Sequence, residues 1–267
     1  MINKKKIKLL MKKILGPRLR SCDLVSRLDS LGINRSRYVL MHSSMSKCGF
    51  FVGGVPTLIQ TVRNCLAEDS TLVLPTHSWS FVSKGLRSFD ELHTPSCVGA
   101  VTEWFRKQPG VHRSLHPTHS VAALGVESQS IVSGHEFSET PCGRGSPYQK
   151  LLELDATILF LGAPLESNTS YHCCEGLMNV PYLLRKESTE FEFIRASGER
   201  FLKSIVLHQP GIPRNLKPLN QELSGAGILK GVSLGKGWVY RIHGRAFMKH
   251  LCDRLTRDPE FLVSDAG

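Results

Sequence analysis

The fold class that the sequence predicts is an α/β sandwich on a largely parallel sheet, and three observations predict it. Short apolar runs recur, each ending in a polar loop. Amphipathic helical stripes lie between them, and strands alternating with helices cover a sheet on both faces. The 267 residues, 41% hydrophobic and 21% charged, suffice for one large domain with a sizeable core, which excludes wholesale disorder, collagen-like repetition and a disulfide mini-scaffold.

The chain opens with a basic extension over residues 1–17. Ile7, Leu10, Met11, Ile14 and Leu15 fall at helical spacing among lysines, so residues 4–15 form a basic amphipathic helix that Gly16-Pro17 ends. Two placements suit it: on an anionic membrane face, or docked on the domain or on a partner subunit of an oligomer. Lys12 and Lys13 interrupt its apolar run, so neither a spanning helix nor a signal peptide is expected.

A single domain follows over residues 18–267. Leu24, Leu28 and Leu31 make a short helical stripe that stops at Gly32, and Tyr38–His42 reads as a buried strand running into Ser43-Ser44. Val55, Leu58, Ile59, Val62 and Leu66 mark the next helix. Thr71–Pro75 and Thr157–Leu161 repeat the strand pattern, the first running into Thr76-His77 and the second into Gly162 and the polar stretch Glu166–Thr169. In such sheets ligands collect beyond the carboxyl ends of the strands, where these polar clusters fall. After about Val180 the segments Phe191–Ile194, Phe201–Leu207 and Trp238–Ile242 read as a β-rich C-terminal elaboration, and Ala246–Leu255 as a helix.

The formal net charge is +11, but the first twenty residues carry eight of those charges with no acid, leaving +3 for the other 247. No nucleic-acid-binding motif accompanies the charge, so no nucleic-acid partner is expected. Eight scattered cysteines without a C-x-x-C pair point to a reducing, cytoplasmic setting and to no metal site.

Three constellations carry chemistry. Gly49-Phe50-Phe51-Val52-Gly53-Gly54-Val55-Pro56 leads into a helix whose free N–H groups suit a phosphate or pyrophosphate, although plain loop geometry explains the glycines equally simply. Arg113-Ser114-Leu115-His116-Pro117-Thr118-His119-Ser120 combines a guanidinium with hydroxyls and suits an anionic or amide-bearing ligand, or else is a polar loop whose histidines satisfy backbone groups. In Thr169-Ser170-Tyr171-His172-Cys173-Cys174-Glu175, helical winding brings Thr169, His172 and Glu175 to one broad face. A carboxylate orienting an imidazole makes a general base; the bland alternative is a core histidine beside a surface glutamate. Cys173 or Cys174 offers a covalent route.

Together and in this order, these stretches resemble the aminoglycoside 3-N-acetyltransferase family. The resemblance rests on Val39-Leu40-Met41-His42-Ser43-Ser44 with Gly49 and Gly53-Gly54; Thr71–Thr76; Thr94-Pro95 with Gly99; Arg113-Ser114, His116-Pro117 and His119-Ser120; Gly143 with Gly145-Ser146-Pro147; and Leu161-Gly162, Asn168-Thr169, His172 and Glu175. It covers roughly residues 20–180. It implies a three-layer α/β/α sandwich distinct from the GNAT fold, and acetyl transfer from acetyl-coenzyme A to an amine without a metal. It further implies that Thr169, His172 and Glu175 line the reaction centre, and that coenzyme A lies along Ser43, Ser44, Val52, Gly53, Gly54, Arg113, Ser114, His116 and Ser120. The acceptor is then a small amine, an aminoglycoside or an amino sugar. A polycation would need an acidic cleft that 23 acids in a slightly basic domain scarcely provide, which favours an amino sugar, including one linked to nucleotide, phosphate or lipid. A catalytically silent scaffold is the alternative from another class.

Overall fold

Three apolar runs, Tyr38–Ser43, Thr71–Pro75 and Thr157–Leu161, lie side by side at the centre of the sheet. The computed structural model describes residues 16–138 and 140–263, so the amphipathic stretch predicted over residues 4–15 falls outside the described part. The chain order is β1 (Arg18–Leu19), α1 (Ser21–Ser30), β2 (Tyr38–Ser43), α2 (Met45–Cys48), β3 (Phe50–Phe51), α3 (Gly54–Asn64), β4 (Thr71–Pro75), α4 (Trp79–Val82), β5 (Ser88–Asp90), α5 (Ala100–Phe105), β6 (His112–Arg113) and β7 (Val121–Gly125). It continues with α6 (Ser128–Val132), α7 (Pro147–Glu153), β8 (Thr157–Leu161), α8 (Ser170–Leu177), β9 (Leu184–Ile194), β10 (Arg200–His208), α9 (Lys217–Gly225), β11 (Leu229–Leu234), β12 (Gly237–His243) and α10 (Gly244–Arg257).

The central sheet has seven strands in the order β11-β12-β8-β2-β4-β7-β6. β2 runs parallel to both β8 and β4, while β7 and β12 flank this centre antiparallel and β6 and β11 reverse again, so five of the seven strands point the same way. The central strands are apolar at nearly every position because both faces are covered. Leu40, Val73, Ile158 and Phe160 point into one core with Leu151 of α7, Cys174 of α8 and Phe247 of α10. Val39, Met41, Leu72, Leu74, Leu159 and Leu161 point into the other with Leu28 of α1, Leu58 of α3 and Phe105 of α5. A period of two on strands buried on both sides thus yields three layers.

The β-rich elaboration is smaller than the sequence suggests. Only β9 and β10 leave the central sheet, forming a three-stranded sheet with β5 over a separate core of Phe89, Phe191, Phe193, Ile205 and Leu207. The Trp238–Ile242 segment is β12, paired antiparallel with β8 in the main sheet, and α10 packs on the main core. The apolar residues Val239 and Ile242, one in each core, suit a strand covered on both faces but carry no information about its partner.

The antiparallel β7 matters for the site. Because Val121 at its start pairs with Pro75 at the end of β4, the loop of residues 114–120 enters at the carboxyl end of the central strands. Ser120 O and Thr118 O accept from the backbone N–H groups of Thr76 and Ser78 and hold it there. At the end of β8, Gly162 has φ of 67°, and a Cβ would stand 2.6 Å from the Ser44 carbonyl oxygen. Only glycine allows the β2 and β8 termini to approach this closely.

Candidate active site

Asn168 starts α8: its Oδ1 accepts from the Ser170 N–H at 3.1 Å, leaving Thr169 at the helix entrance and His172 one turn on. Glu175 follows at i+3, and its Oε2 lies 2.7 Å from His172 Nδ1. The Glu175 side chain is wholly buried, that of His172 is 15% exposed. Arg214 closes the carboxylate from the far side, donating from Nε to Oε1 at 2.8 Å and from its terminal nitrogen to Oε2 at 3.2 Å. Burial by itself would raise the Glu175 pKa, but hydrogen bonds and charge from His172 and Arg214 outweigh it and hold the carboxyl below its ordinary value. Burial also lowers the His172 pKa, against the pull of Glu175. With Nδ1–H donating to the carboxylate, the neutral ring keeps its Nε2 lone pair free, the form a general base needs.

Two clefts open near the start of α8, one lined by Thr169 and the other by His172. The first, about 240 Å³, is lined by Ser43, Ser44, His42, His77 and Thr169 among others. Here Ser43 Oγ and His42 Nε2 are buried without a protein partner, which leaves them for a bound molecule. The second, about 360 Å³, is lined by His119, His172, His208, Trp79, Arg87, Arg185 and Arg214 among others. The rings of His77 and His119, 4.7 Å apart, stand between the two.

The segment Arg113–Ser120, which the resemblance places along coenzyme A, is a buried network in which Arg113, Ser114 and Ser120 already bond to the protein. Arg113 donates from Nε to the hydroxyls of Thr76 and Ser120, and from its terminal nitrogens to the carbonyls of Thr94 at 2.5 Å, Thr76 at 2.9 Å and Glu91 at 3.3 Å. Burial, with the nearby Arg106 adding to it, pulls the guanidinium down to about 9. Ser114 Oγ meets His135 Nδ1 and accepts from Val121 N–H, while His116 Nδ1 accepts from the N–H groups of Thr118 and His119. Ser120 Oγ donates to Thr76 O. All four residues are buried, and His116 Nε2 has no protein partner.

Val52 and Gly53 precede α3 and Gly54 opens it, none of them lining either cleft. Gly53 and Gly54 have φ of 83° and 69°, Val52 is exposed, and the helix start has no side-chain cap. Cys173 and Cys174 point into the hydrophobic core, where burial raises both thiols far above their ordinary range, so neither supplies the thiolate of a covalent route. His119, Cys142 and His208 are the one group of three among the described residues whose possible ligand atoms all lie within 4.8 Å of one another. The sequence reading misses Arg214, His208, Trp79, Arg87 and Arg185. Arg214 lies 39 residues from Glu175, and no local spacing announces the pair.

The chain is thus a three-layer α/β/α sandwich without the GNAT architecture, with a buried histidine–carboxylate pair beside a cleft. Residues 40–256 match the aminoglycoside 3-N-acetyltransferases, and the chain belongs to that family. It is similar to aminoglycoside N(3)-acetyltransferase IV of Salmonella sp, 32% identical over 242 residues that cover 90% of this chain and 88% of that one. With the aminoglycoside N(3')-acetyltransferase-like protein YokD of Bacillus subtilis it shares 30% identity over 175 residues, 58% of this chain and 63% of the relative, less than two thirds of that protein's length. Among solved structures, a histidine-to-alanine mutant of AAC(3)-IVa in complex with a gentamicin superposes with a TM-score of 0.78 at 25% identity, covering 92% of each chain. AAC-IIIb, solved as a binary complex with CoASH, superposes with a TM-score of 0.77 at 22% identity, covering 90% of this chain and 97% of that one.

Proposed function

We propose that the protein acetylates an amino group of a sugar, an aminoglycoside or an amino sugar, with His172 as general base and Glu175 as the carboxylate that orients it. The observation that carries this reading is the His172 Nδ1–Glu175 Oε2 contact of 2.7 Å, clamped by Arg214, on a ring that faces the second cleft. The acetyl donor enters the first cleft, where Ser43 and Ser44 meet it beside Thr169, and the Val52-Gly53-Gly54 turn suits its phosphates. The amine nitrogen attacks the thioester carbonyl, a C–N bond forms as the C–S bond breaks, and the proton lost by the amine passes through His172 to the departing thiolate. The Thr169 hydroxyl, or backbone N–H groups at the start of α8, stabilises the oxyanion.

Replacing His172 by Ala lowers turnover by about 10²–10⁴, while coenzyme A binding, measured by titration calorimetry, persists. Release of coenzyme A thiol at a near-normal rate from that variant would overturn the assignment.

A further inference from the structure

The acceptor cleft is cationic. Arg87, Arg185 and Arg214 line it with three histidines, and none of its lining residues is a carboxylate. Glu175, the acid that reaches its floor, is fully buried and closed by Arg214 and His172. Arg87 and Arg185 have no carboxylate partner among the described residues; Arg87 uses one terminal nitrogen on the carbonyls of Val82 and Leu86. Both side chains come from the β9–β10–β5 sheet region, Arg87 just before β5 and Arg185 at the start of β9. Beside them Trp79 is 49% exposed, an indole face open to a flat ring.

From this we infer that the amine acceptor carries phosphate, and that Arg87 and Arg185 hold that phosphate while His172 addresses the amine. The inference rests on the acyl-transfer reading above and specifies its substrate class: a phosphorylated or nucleotide-linked amino sugar. A polycationic acceptor would bring its ammonium groups against arginines in a cleft with no carboxylate to receive them, whereas guanidinium forks match phosphate oxygens in charge and geometry. Space agrees with a long acceptor. A second hollow of about 500 Å³ continues the cleft, shares Arg185, Thr189 and Gln209 with it, and adds Lys186 against a single carboxylate, Glu187. Trp79 offers a stacking surface for the sugar ring or the base.

Thiol release from acetyl-coenzyme A is measured with glucosamine, glucosamine 6-phosphate, UDP-glucosamine and gentamicin, and UDP binding is measured separately by calorimetry. The two phosphorylated acceptors separate a monophosphate from a nucleotide diphosphate as the recognised group. The better of them exceeds glucosamine in kcat/KM by about tenfold or more, the worth of one charge-assisted hydrogen bond. Arg87→Ala and Arg185→Ala each reduce that ratio about tenfold through KM and weaken UDP binding in proportion. Turnover of glucosamine or gentamicin at least equal to that of both phosphorylated acceptors, or a ratio that neither variant moves, would overturn the phosphate site while leaving acyl transfer standing. Silence with all four amines, with UDP binding that weakens in the variants, would overturn acyl transfer and support the site.

Discussion

Two arginines with largely buried side chains stand at the carboxyl end of the sheet, and they differ in what they hold. Arg113 binds neutral oxygens only, carbonyls and hydroxyls from three segments, and ties loops together. Arg214 binds one carboxylate through both of its oxygens, and through it sets the orientation of the His172 ring. The first network is closed, with the side chains of Arg113, Thr76 and Ser120 all buried. The second is closed behind Glu175 and open at His172, which reaches a cleft. A polar cluster becomes a site where one member keeps a free lone pair facing a space that a ligand can enter.

A chain of imidazoles links the two regions, and acid should strain both at once. His135 stacks on His116, His116 contacts His119, and His119 contacts His77 and His208, the latter meeting His172 at 4.6 Å between ring centroids. Burial lowers all six, to about 3 for His77 and about 4 for His135. A depressed histidine favours folding while neutral, so its contribution is present above the ordinary 6.5 and is lost as the pH falls toward the folded value. Each ring that is protonated in the unfolded chain and neutral in the native one removes about 1.4 kcal/mol per pH unit. The melting temperature should therefore drop steeply between about pH 6.5 and pH 4. A flat profile would mean that the cluster is hydrated and that the closed region is open after all.

Arg113→Ala tests the closed region directly. It strands Thr94 O and Glu91 O, while Thr76 and Ser120 keep their bonds to each other, and a buried polar group left unpaired costs about 1–3 kcal/mol. The variant should melt many degrees lower, while KM for acetyl-coenzyme A in the folded fraction changes by less than about threefold, below one charge-assisted hydrogen bond. The reverse result, an unchanged melting temperature with KM raised about tenfold or more, would return Arg113 to the phosphate-binding role that its sequence context suggests.

Arg113 shows where a sequence stops being readable. The central strands are legible because burial on both faces leaves Tyr38–Met41 and Thr157–Leu161 with no exposed position to interrupt the apolar run. The His172–Glu175 pair is legible because helical spacing is local. Strand partners are not local, so the sequence pattern places β12 in the elaboration although it borders β8. Donor satisfaction is not local either: the partners of Arg113 lie 7 to 37 residues away, and those of Glu175 include Arg214 at 39. Arg87 and Arg185 carry no motif, and only the folding of β9 beside β5 brings them to one cleft.

Arg214→Ala is the more selective test, because His172 still holds one oxygen of Glu175 after the arginine is gone. Removing one partner of a buried ion pair costs about 3–5 kcal/mol, and the freed carboxylate no longer fixes the imidazole. The expected signature is kcat lowered by about 10–100-fold, within the range a general base supplies, with KM for acetyl-coenzyme A unchanged. Arg214→Lys keeps the charge but loses the two-pronged grip, so it should recover stability more fully than kcat. A variant that loses stability yet keeps its full kcat would show that the helix alone orients His172. Arg214 would then be a structural tie like Arg113, and the open region would owe its chemistry to the geometry of α8 rather than to the residue behind it.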